Sequence, residues 1–205
     1  MPNGIRELLR AKTRDQHMRL HELIDLKIML GSRRTYITAL VAYLRAIRPC
    51  EAAVAFFSSC NPSIAMPDYK DRLQKSNWLG SDLISLGESV PDELHAVPRR
   101  DSISLATAAG YAYVMEGMTL GATGMLPRFE RSLGLSASDG ANFFAAYGSE
   151  TPQMWKRFTA WIGQIDASQD DVVQAARFAF AQFEREFSSW NRTELSLLED
   201  PSLHA

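Results

Sequence analysis

Residues 111–125, YAYVMEGMTLGATGM, have the composition of a buried helix but carry glycines at helical spacing. Four glycines follow one another at separations of seven, four and three residues: Gly110, Gly117, Gly121 and Gly124. At about 100° per residue, these four positions share one helix face. Each glycine inside a helix costs about 1 kcal/mol relative to alanine. We therefore expect this face to bring either another helix or a ligand close to the helix backbone.

This glycine-bearing segment is expected to form one buried helix. Asp101 or Ser102 is predicted to cap its start, and it must end near Pro127, because proline breaks a helix interior. Residues 103–127 are almost free of charge and long enough to suggest a membrane span. They nevertheless include Glu116 and are rich in Ala, Gly, Ser and Thr rather than Leu and Ile. A central helix buried within the protein is the better interpretation.

The rest of the chain also shows helical periodicity, and no segment sustains the period-two alternation of a half-buried strand. We predict a helix over residues 4–30, closed by Gly31, and a second over 33–60, capped by Ser32 and bent or interrupted at Pro49. One or two short helices are expected within residues 69–87. Further helices are predicted from Ser136 through Tyr147, over residues 151–165, and after Ser168, where the helix is long. The prediction is an all-α fold in a single domain, residues 1–205, with a frayed tail over 199–205.

The composition is that of an ordinary globular protein, with 46% apolar and 22% charged residues, which excludes a disordered or fibrous chain. The net charge is −2, but residues 1–48 hold ten Lys or Arg and four Asp or Glu, a net +6. Charge clusters of this size are usually solvated helix faces, so no nucleic acid partner is expected. The start lacks the apolar core of a signal peptide, and Cys50 and Cys60 have no metal-binding spacing. We expect a cytoplasmic protein with reduced thiols.

A stripe of arginines and histidines runs beside the apolar face of the first predicted helix. Its members, spaced by four, three and four residues, are Arg10, Arg14, His17 and His21. The ordinary interpretation is a set of exposed arginines and a hydrogen-bonded structural histidine. The functional alternative is a metal site, since neutral imidazole is a common ligand. One histidine cannot hold a bare zinc ion, and the chain has no HExxH or ExxH pair, so a metal at His17 would have to arrive inside a macrocycle.

Two interpretations of the glycine face stay open. Missing side chains permit close packing of a second helix, and they also permit a planar ligand to lie against exposed backbone. The two can coexist along one helix. With a ligand present, the side chains near its edges would be Tyr113, Met118, Thr119 and Thr123. Met and Thr in a packed helix usually indicate packing alone.

Taken together, the two segments resemble the haem oxygenase family. Residues 8–21, LLRAKTRDQHMRLH, look like the family's proximal helix, where a T-x-x-x-H segment supplies the axial histidine; Thr13 and His17 occupy those positions. Residues 113–122, YVMEGMTLGA, look like the distal helix of the bacterial branch, whose pattern is close to Y-V-x-E-G-S-x-L-G-G. This branch includes enzymes that accompany bacterial phytochromes.

The resemblance implies a helical bundle that holds haem b between the proximal, N-terminal helix and the distal helix. Haem would be cofactor and substrate at once. His17 would bind the iron, and Arg10 and Arg14 would meet the haem propionates. Tyr113 and Phe183 are further expected cofactor contacts. The distal catalytic face would consist of Gly117, Met118, Gly121 and Ala122.

The implied activity is that of a haem-degrading monooxygenase, which converts haem to biliverdin, CO and ferrous iron with O2 and external electrons. A ferredoxin or a flavin reductase would supply the electrons. A bacteriophytochrome is a candidate acceptor of the bilin product. The resemblance implies no nucleic acid partner and no membrane.

Several positions depart from the family pattern. Met118 replaces a serine, or the carboxylate of animal members, and its thioether is a poor hydrogen-bond partner. Ala122 replaces the second glycine of a pair, and Trp155 stands where animal members carry a propionate-binding basic residue. His21 could orient neighbouring groups or compete with His17 as the ligand. The departures at Met118 and Ala122 keep open a second hypothesis, a non-enzymatic haem carrier or sensor on the same fold. The packing interpretation of the glycines keeps open a third, a helical module that binds a different ligand or a partner protein.

Overall fold

The computed structural model describes residues 4–92 and 103–198, and these form helices joined by short loops. In chain order the helices are α1 (Ile5–Lys12), α2 (Arg14–Leu23), α3 (Leu26–Met29), α4 (Arg33–Cys60), α5 (Tyr69–Arg72), α6 (Lys75–Ser85), α7 (Leu105–Ala122), α8 (Leu126–Leu133), α9 (Asn142–Ala145), α10 (Thr151–Ile162) and α11 (Gln169–Leu198). A 3-10 turn, Gly148–Glu150, precedes α10. Pairing of the β type in the described ranges is limited to isolated bridges from Ser136 to Asp139 and Gly140. The predicted all-α fold is confirmed.

The long helix α11 is the element on which the others assemble. It packs against α7, α4 and α2, and α4 in turn packs against α6 and α7. Four aromatic side chains of this helix are buried: Phe180, Phe183, Phe187 and Trp190. The Phe187 ring meets the Tyr43 ring of α4 edge-on, with centroids 4.6 Å apart. Such aromatic pairs add directional packing to the burial of apolar area.

The N-terminal region forms three helices, so the prediction of one helix over residues 4–30 is wrong. The first break lies at Thr13, whose hydroxyl donates to the Leu9 carbonyl oxygen at 2.8 Å and whose backbone leaves helical geometry (ψ 6°). The second lies at Asp25, whose carboxylate accepts from the backbone N–H groups of Lys27 and Ile28 and so caps α3. Polar side chains that bond to nearby backbone compete with helix continuation at both positions.

Helix α2 has no buried residue. Its polar contacts with α11 include the Gln16 amide, which donates to the Arg177 carbonyl oxygen at 3.1 Å, and the pair of Arg19 with Glu184. Leu20 and Leu23 are half-buried and pack against the main hydrophobic cluster. At its C-terminal end, the Asn191 amide donates to the Leu23 carbonyl oxygen at 3.2 Å. A helix gains most of its stability in a protein by burying an apolar face, and α2 buries little within this chain.

Helix α4 follows its prediction, with Ser32 as the N-cap in a reciprocal pair with Thr35. It continues through Pro49 without interruption. None of the helices in the described ranges is both long and apolar enough to cross a membrane.

The glycine-bearing helix begins and ends at other residues than predicted. Asp101 and Ser102 lie outside the described residues, and Ser104 is the N-cap, with its hydroxyl accepting from the Thr107 N–H. The helix ends at Ala122 rather than near Pro127, and a short turn leads into α8, which the sequence reasoning did not predict. Pro127 lies in the first turn of α8, where its missing N–H has no cost. Had α7 continued, the Pro127 ring would have clashed with the backbone one turn earlier.

The segment after α8 contains less helix than predicted. Residues 136–140 form a turn, and α9 covers a single helical turn, Asn142–Ala145, rather than reaching Tyr147 from Ser136. The Asp82 carboxylate of α6 accepts from the backbone N–H groups of Asn142 and Phe143 at 2.7 and 2.9 Å. Helix α10 ends at Ile162 rather than residue 165, and the predicted frayed tail over 199–205 lies outside the described residues.

The Asp82 contact predicts a pH dependence of stability. Burial raises the pKa of Asp82 from 3.8 to about 6, although the two backbone hydrogen bonds lower it. The folded state therefore holds this proton more tightly than the unfolded chain, so the contribution is fully present below about pH 4 and is lost as the pH rises through 6. Between pH 7 and pH 5 the wild type should gain about 1 kcal/mol relative to Asp82→Asn. Urea denaturation of both proteins at the two pH values measures this difference; a difference that does not change with pH contradicts it.

Candidate functional site

The glycine face of α7 serves close helix packing at its N-terminal end. A Cβ atom on Gly110 would lie 2.6 Å from the Ala175 Cβ atom, 2.6 Å from the Val172 carbonyl oxygen and 2.7 Å from the Ala176 nitrogen. Real Cβ atoms do not approach backbone so closely, and Gly110 is therefore required where α7 crosses α11.

The same face is open further along. A Cβ atom on Gly121 would meet nothing within 4 Å, and one on Gly117 would touch only the Trp155 ring, at 4.0 Å. Gly124 lies in the turn after α7, next to the Gly121 carbonyl oxygen. Packing in the described chain does not require Gly117 or Gly121, although each costs helix stability. Close packing therefore explains the face at Gly110 and does not explain it at Gly117 and Gly121.

The arginine and histidine stripe is exposed on α1 and α2: Arg10, Arg14, His17 and His21. The His17 ring lies edge-on to Phe180 of α11, with centroids 6.4 Å apart and an interplanar angle of 80°. This contact holds one side of the imidazole against α11 and leaves the rest of the ring accessible. Met18, next to it, is half exposed.

Tyr113 connects the N-terminal helices to α7. Burial raises the pKa of the Tyr113 hydroxyl, while a hydrogen bond with Thr13 and the positive charges of Arg6 and Arg10 lower it. Its ring lies 6.4 Å from the Trp155 ring, centroid to centroid. Tyr113 therefore lies close to Arg10, to Thr13 and to the Trp155 ring beside Gly117. Thr13 is where α1 ends, four residues before His17.

Other predicted site residues lie in the core. Phe183 is 0% exposed and Ala122 is 4% exposed, and both belong to the main hydrophobic cluster. Met118 is half-buried and packs against that cluster. The Thr119 hydroxyl donates to the Met115 carbonyl oxygen at 2.7 Å. The open surface of α7 is consequently formed by Gly117 and Gly121 rather than by these side chains.

A buried ionic cluster beside the open face was not predicted. The Glu116 carboxylate of α7 accepts hydrogen bonds from the Arg72 guanidinium, from the Lys75 Nζ at 2.9 Å and from the Tyr147 hydroxyl at 2.8 Å. Arg72, Lys75 and Glu116 are all buried. Burial, followed by the charge of Glu116, raises the pKa of Tyr147, so this hydroxyl stays protonated and donates. The sequence shows Glu116 as a lone charge in a nearly uncharged helix, which indicates that it needs a partner. The partners themselves could not be identified, because they lie 44, 41 and 31 positions away in the chain.

Comparison with known proteins identifies the family. The model of the family described as "Heme oxygenase" matches residues 3–189. The chain belongs to the haem oxygenase family. The haem oxygenase PigA from Pseudomonas aeruginosa is 28% identical over 195 residues, which cover 90% of this chain and 92% of PigA.

Solved haem oxygenase structures share this fold. The haem oxygenase from Neisseria meningitidis, solved with NO and CO bound, superposes with a TM-score of 0.80 over 92% of each chain at 19% identity. The haem oxygenase from Leptospira interrogans gives a TM-score of 0.63 at 14% identity and covers 91% of this chain and 100% of its own. At these identities the likeness concerns the fold.

Proposed function

We propose that this haem oxygenase converts haem to biliverdin, CO and ferrous iron, using O2 and external electrons. Family membership carries the reaction class. The structural observation that carries the assignment to a site is the open backbone at Gly117 and Gly121, which packing does not explain. A flat macrocycle is a ligand that such a surface admits and that a bulkier side chain would exclude.

The residues present fit haem on three counts. The His17 imidazole is accessible on α2 and can supply one axial ligand. Arg10 on α1 and Arg14 on α2 are both exposed, one on each side of the break at Thr13, and their guanidinium groups can pair with carboxylates. Helix α2 has no buried residue, so a bound apolar ligand would bury side chains of α2 that the rest of the chain leaves accessible.

We assign roles to the chain's residues on this basis. His17 binds the iron, Arg10 and Arg14 pair with the propionates, and Tyr113 contacts the ring edge. Gly117 and Gly121 would leave room for the ring beside the α7 backbone. Met118, Ala122 and Phe183 support this surface from within the packed side of α7 and α11. The cofactor and substrate is haem b.

Haem, when bound, supplies the iron that activates O2 and the ring carbon that is oxidised. The protein's part is to orient the ring and to control hydrogen bonding above it. Thr119 and Thr123 donate their hydroxyl protons to carbonyl oxygens of their own helix, and Met118 has no side-chain donor. These three side chains therefore offer no free hydrogen-bond donor to a bound ring.

The proposal extends to partners and location. The exposed basic residues of α1 and α2 favour an acidic electron donor, such as a ferredoxin or a flavin reductase, and a bacteriophytochrome is a candidate recipient of the bilin. The proposed location is the cytoplasm. We propose a single domain over residues 1–205, which the packing of α2, α4 and α7 on one helix supports.

Hemin titration followed by reduction in air tests the function. The wild type should bind one hemin per chain with the absorption spectrum of a histidine-ligated haem, and should yield biliverdin when electrons and O2 are supplied. His17→Ala should lose that spectrum and reduce the biliverdin yield at least about tenfold, because the axial ligand is gone. Imidazole added to His17→Ala should restore the spectrum.

His21→Ala is the matched control, since it removes a second exposed histidine one helical turn away. It should keep the wild-type spectrum and yield. If His21→Ala loses the spectrum and His17→Ala keeps it, the ligand assignment is wrong. If the wild type binds hemin but never yields biliverdin under these conditions, the protein is a haem carrier or sensor and not an enzyme. If it does not bind hemin at micromolar concentration, the proposed haem site is wrong.

A further inference from the structure

We propose that the buried cluster of Arg72, Lys75, Glu116 and Tyr147 fixes the positions of α7 at Gly117 and of α10 at Trp155, which form the two walls of the open face. The cluster thereby determines which edge of a bound ring is sterically blocked. This inference deepens the proposed function and rests on it for the identity of the ligand. Its four side chains are positioning residues, since none of them lies on the open face itself.

The first wall is α7, and Glu116 holds it. Glu116 immediately precedes Gly117, so any movement of its backbone moves the open part of the helix. Its carboxylate bonds to Arg72, Lys75 and Tyr147, which come from α5, α6 and the segment before α10. Glycine has no side chain with which to fix its own position, and the neighbouring anchored residue supplies that restraint.

The second wall is α10, and Arg72 holds it. The Arg72 Nη2 atom donates to the Met154 carbonyl oxygen at 2.8 Å, and its Nε atom donates to the Pro67 carbonyl oxygen at 2.7 Å. Met154 directly precedes Trp155, whose ring is the neighbour of Gly117 across the open face. One guanidinium thus connects the glycine wall, through Glu116, to the tryptophan wall, through Met154.

A peripheral set of contacts ties α10 to the same region. Asp68 lies 3.8 Å from Arg72 and pairs with Arg157 at 2.8 Å. Arg157 also contacts the Met154 sulfur at 2.7 Å. These groups are partly exposed, and exposed ion pairs contribute little. The buried bonds of Arg72 are therefore the main connection between the two walls.

The cluster has the properties that rigid positioning requires. The side chains of Arg72, Lys75 and Glu116 are at most 2% exposed, and each makes more than one hydrogen bond. In a low-dielectric interior such bonds are stronger than in water, and losing one partner leaves another buried group unsatisfied. The separation of Gly117 and Trp155 is consequently held by a network with few alternative arrangements.

Hydrogen exchange of the haem-free protein tests the positioning directly. Glu116→Gln keeps the shape of the side chain but removes its charge and one strong acceptor. We expect the amides of residues 117–122 and of residues 153–158 to exchange about tenfold faster or more in this variant, with the helices that do not contact the cluster unchanged. Glu194→Gln is the matched control, because Glu194 is also buried and also binds an arginine, Arg34, at a distance from the open face.

The same pair of variants tests the consequence for the product. With hemin bound and turned over, Glu116→Gln should change the ratio of biliverdin isomers, which reports the ring carbon attacked, and Glu194→Gln should give the wild-type ratio. Tyr147→Phe, which removes a single hydroxyl, should shift exchange and isomer ratio in the same direction by a smaller amount. This milder variant serves if Glu116→Gln does not fold.

The two arms separate the possible failures. If Glu116→Gln exchanges faster throughout the chain, or only in residues 117–122, the cluster does not connect the two walls and the proposal is overturned. If exchange changes in both segments while the isomer ratio stays that of the wild type, positioning of the ring edge is overturned. If neither the wild type nor any variant yields biliverdin, the proposed function is wrong. The exchange experiment uses the haem-free protein, so it still shows whether the cluster connects α7 and α10.

Discussion

Replacing Gly110 with alanine should lower the free energy of unfolding by about 3 kcal/mol. The added methyl group would lie 2.6 Å from both the Ala175 Cβ atom and the Val172 carbonyl oxygen, so α7 and α11 would have to separate. This contact joins the two helices that share the largest packed interface in the described chain, and the strain cannot be relieved by rotation of a side chain. Urea denaturation followed by circular dichroism measures the loss.

Gly121→Ala is the matched control on the same helix face. Its methyl group would meet nothing within 4 Å, and alanine favours the helix by about 1 kcal/mol over glycine. The haem-free variant should therefore be as stable as the wild type or more so, while its affinity for hemin should fall. Equal destabilisation by the two substitutions would show that the glycine face has one role along its whole length.

Replacing Glu116 with alanine should cost about 3–5 kcal/mol, because it leaves Arg72 and Lys75 buried without their carboxylate. Removing one partner of a buried ionic group is more damaging than removing the whole group, since the remaining charges cannot reach water. Thermal and urea unfolding of the haem-free protein measure the loss. A triple replacement of Glu116, Arg72 and Lys75 by apolar residues of similar volume should recover part of it.

Glu194→Ala provides the comparison. Glu194 is as deeply buried as Glu116, but its partner Arg34 has 56% of its side chain exposed. Water can solvate that guanidinium once the carboxylate is gone, so the loss should be about 1–2 kcal/mol. Equal losses at the two positions would mean that the buried cations of the Glu116 cluster do not determine its cost.

The helix pattern could be predicted wherever apolar periodicity and caps agree. The bounds of helix α4 follow directly from spacing, and Ser32 is its N-cap in the structure as predicted. The breaks within residues 4–30 could not be predicted in this way. Thr13 and Asp25 interrupt the helix through side-chain bonds to local backbone, and neither residue type excludes helix by itself.

The candidate site was only partly accessible to sequence reasoning. The glycine spacing correctly indicated an unusual helix face, but only three-dimensional neighbours separate Gly110, pressed against α11, from the open Gly121. Glu116 was visible as an isolated charge, whereas its partnership with Arg72 depends on chain segments far apart in sequence. Long-range polar contacts of this kind leave no periodic signal.

The lack of buried side chains in α2 has a consequence for ligand exchange. Native proteins open in parts, and the parts with the fewest buried contacts open at the lowest free energy. Helix α2 is held to α11 by bonds such as those of Gln16 and Asn191 and by half-buried rather than buried side chains, so it can detach while the Tyr43 and Phe187 core stays intact. A large flat product can then leave past the N-terminal helix without global unfolding, and a new ring can enter by the same route.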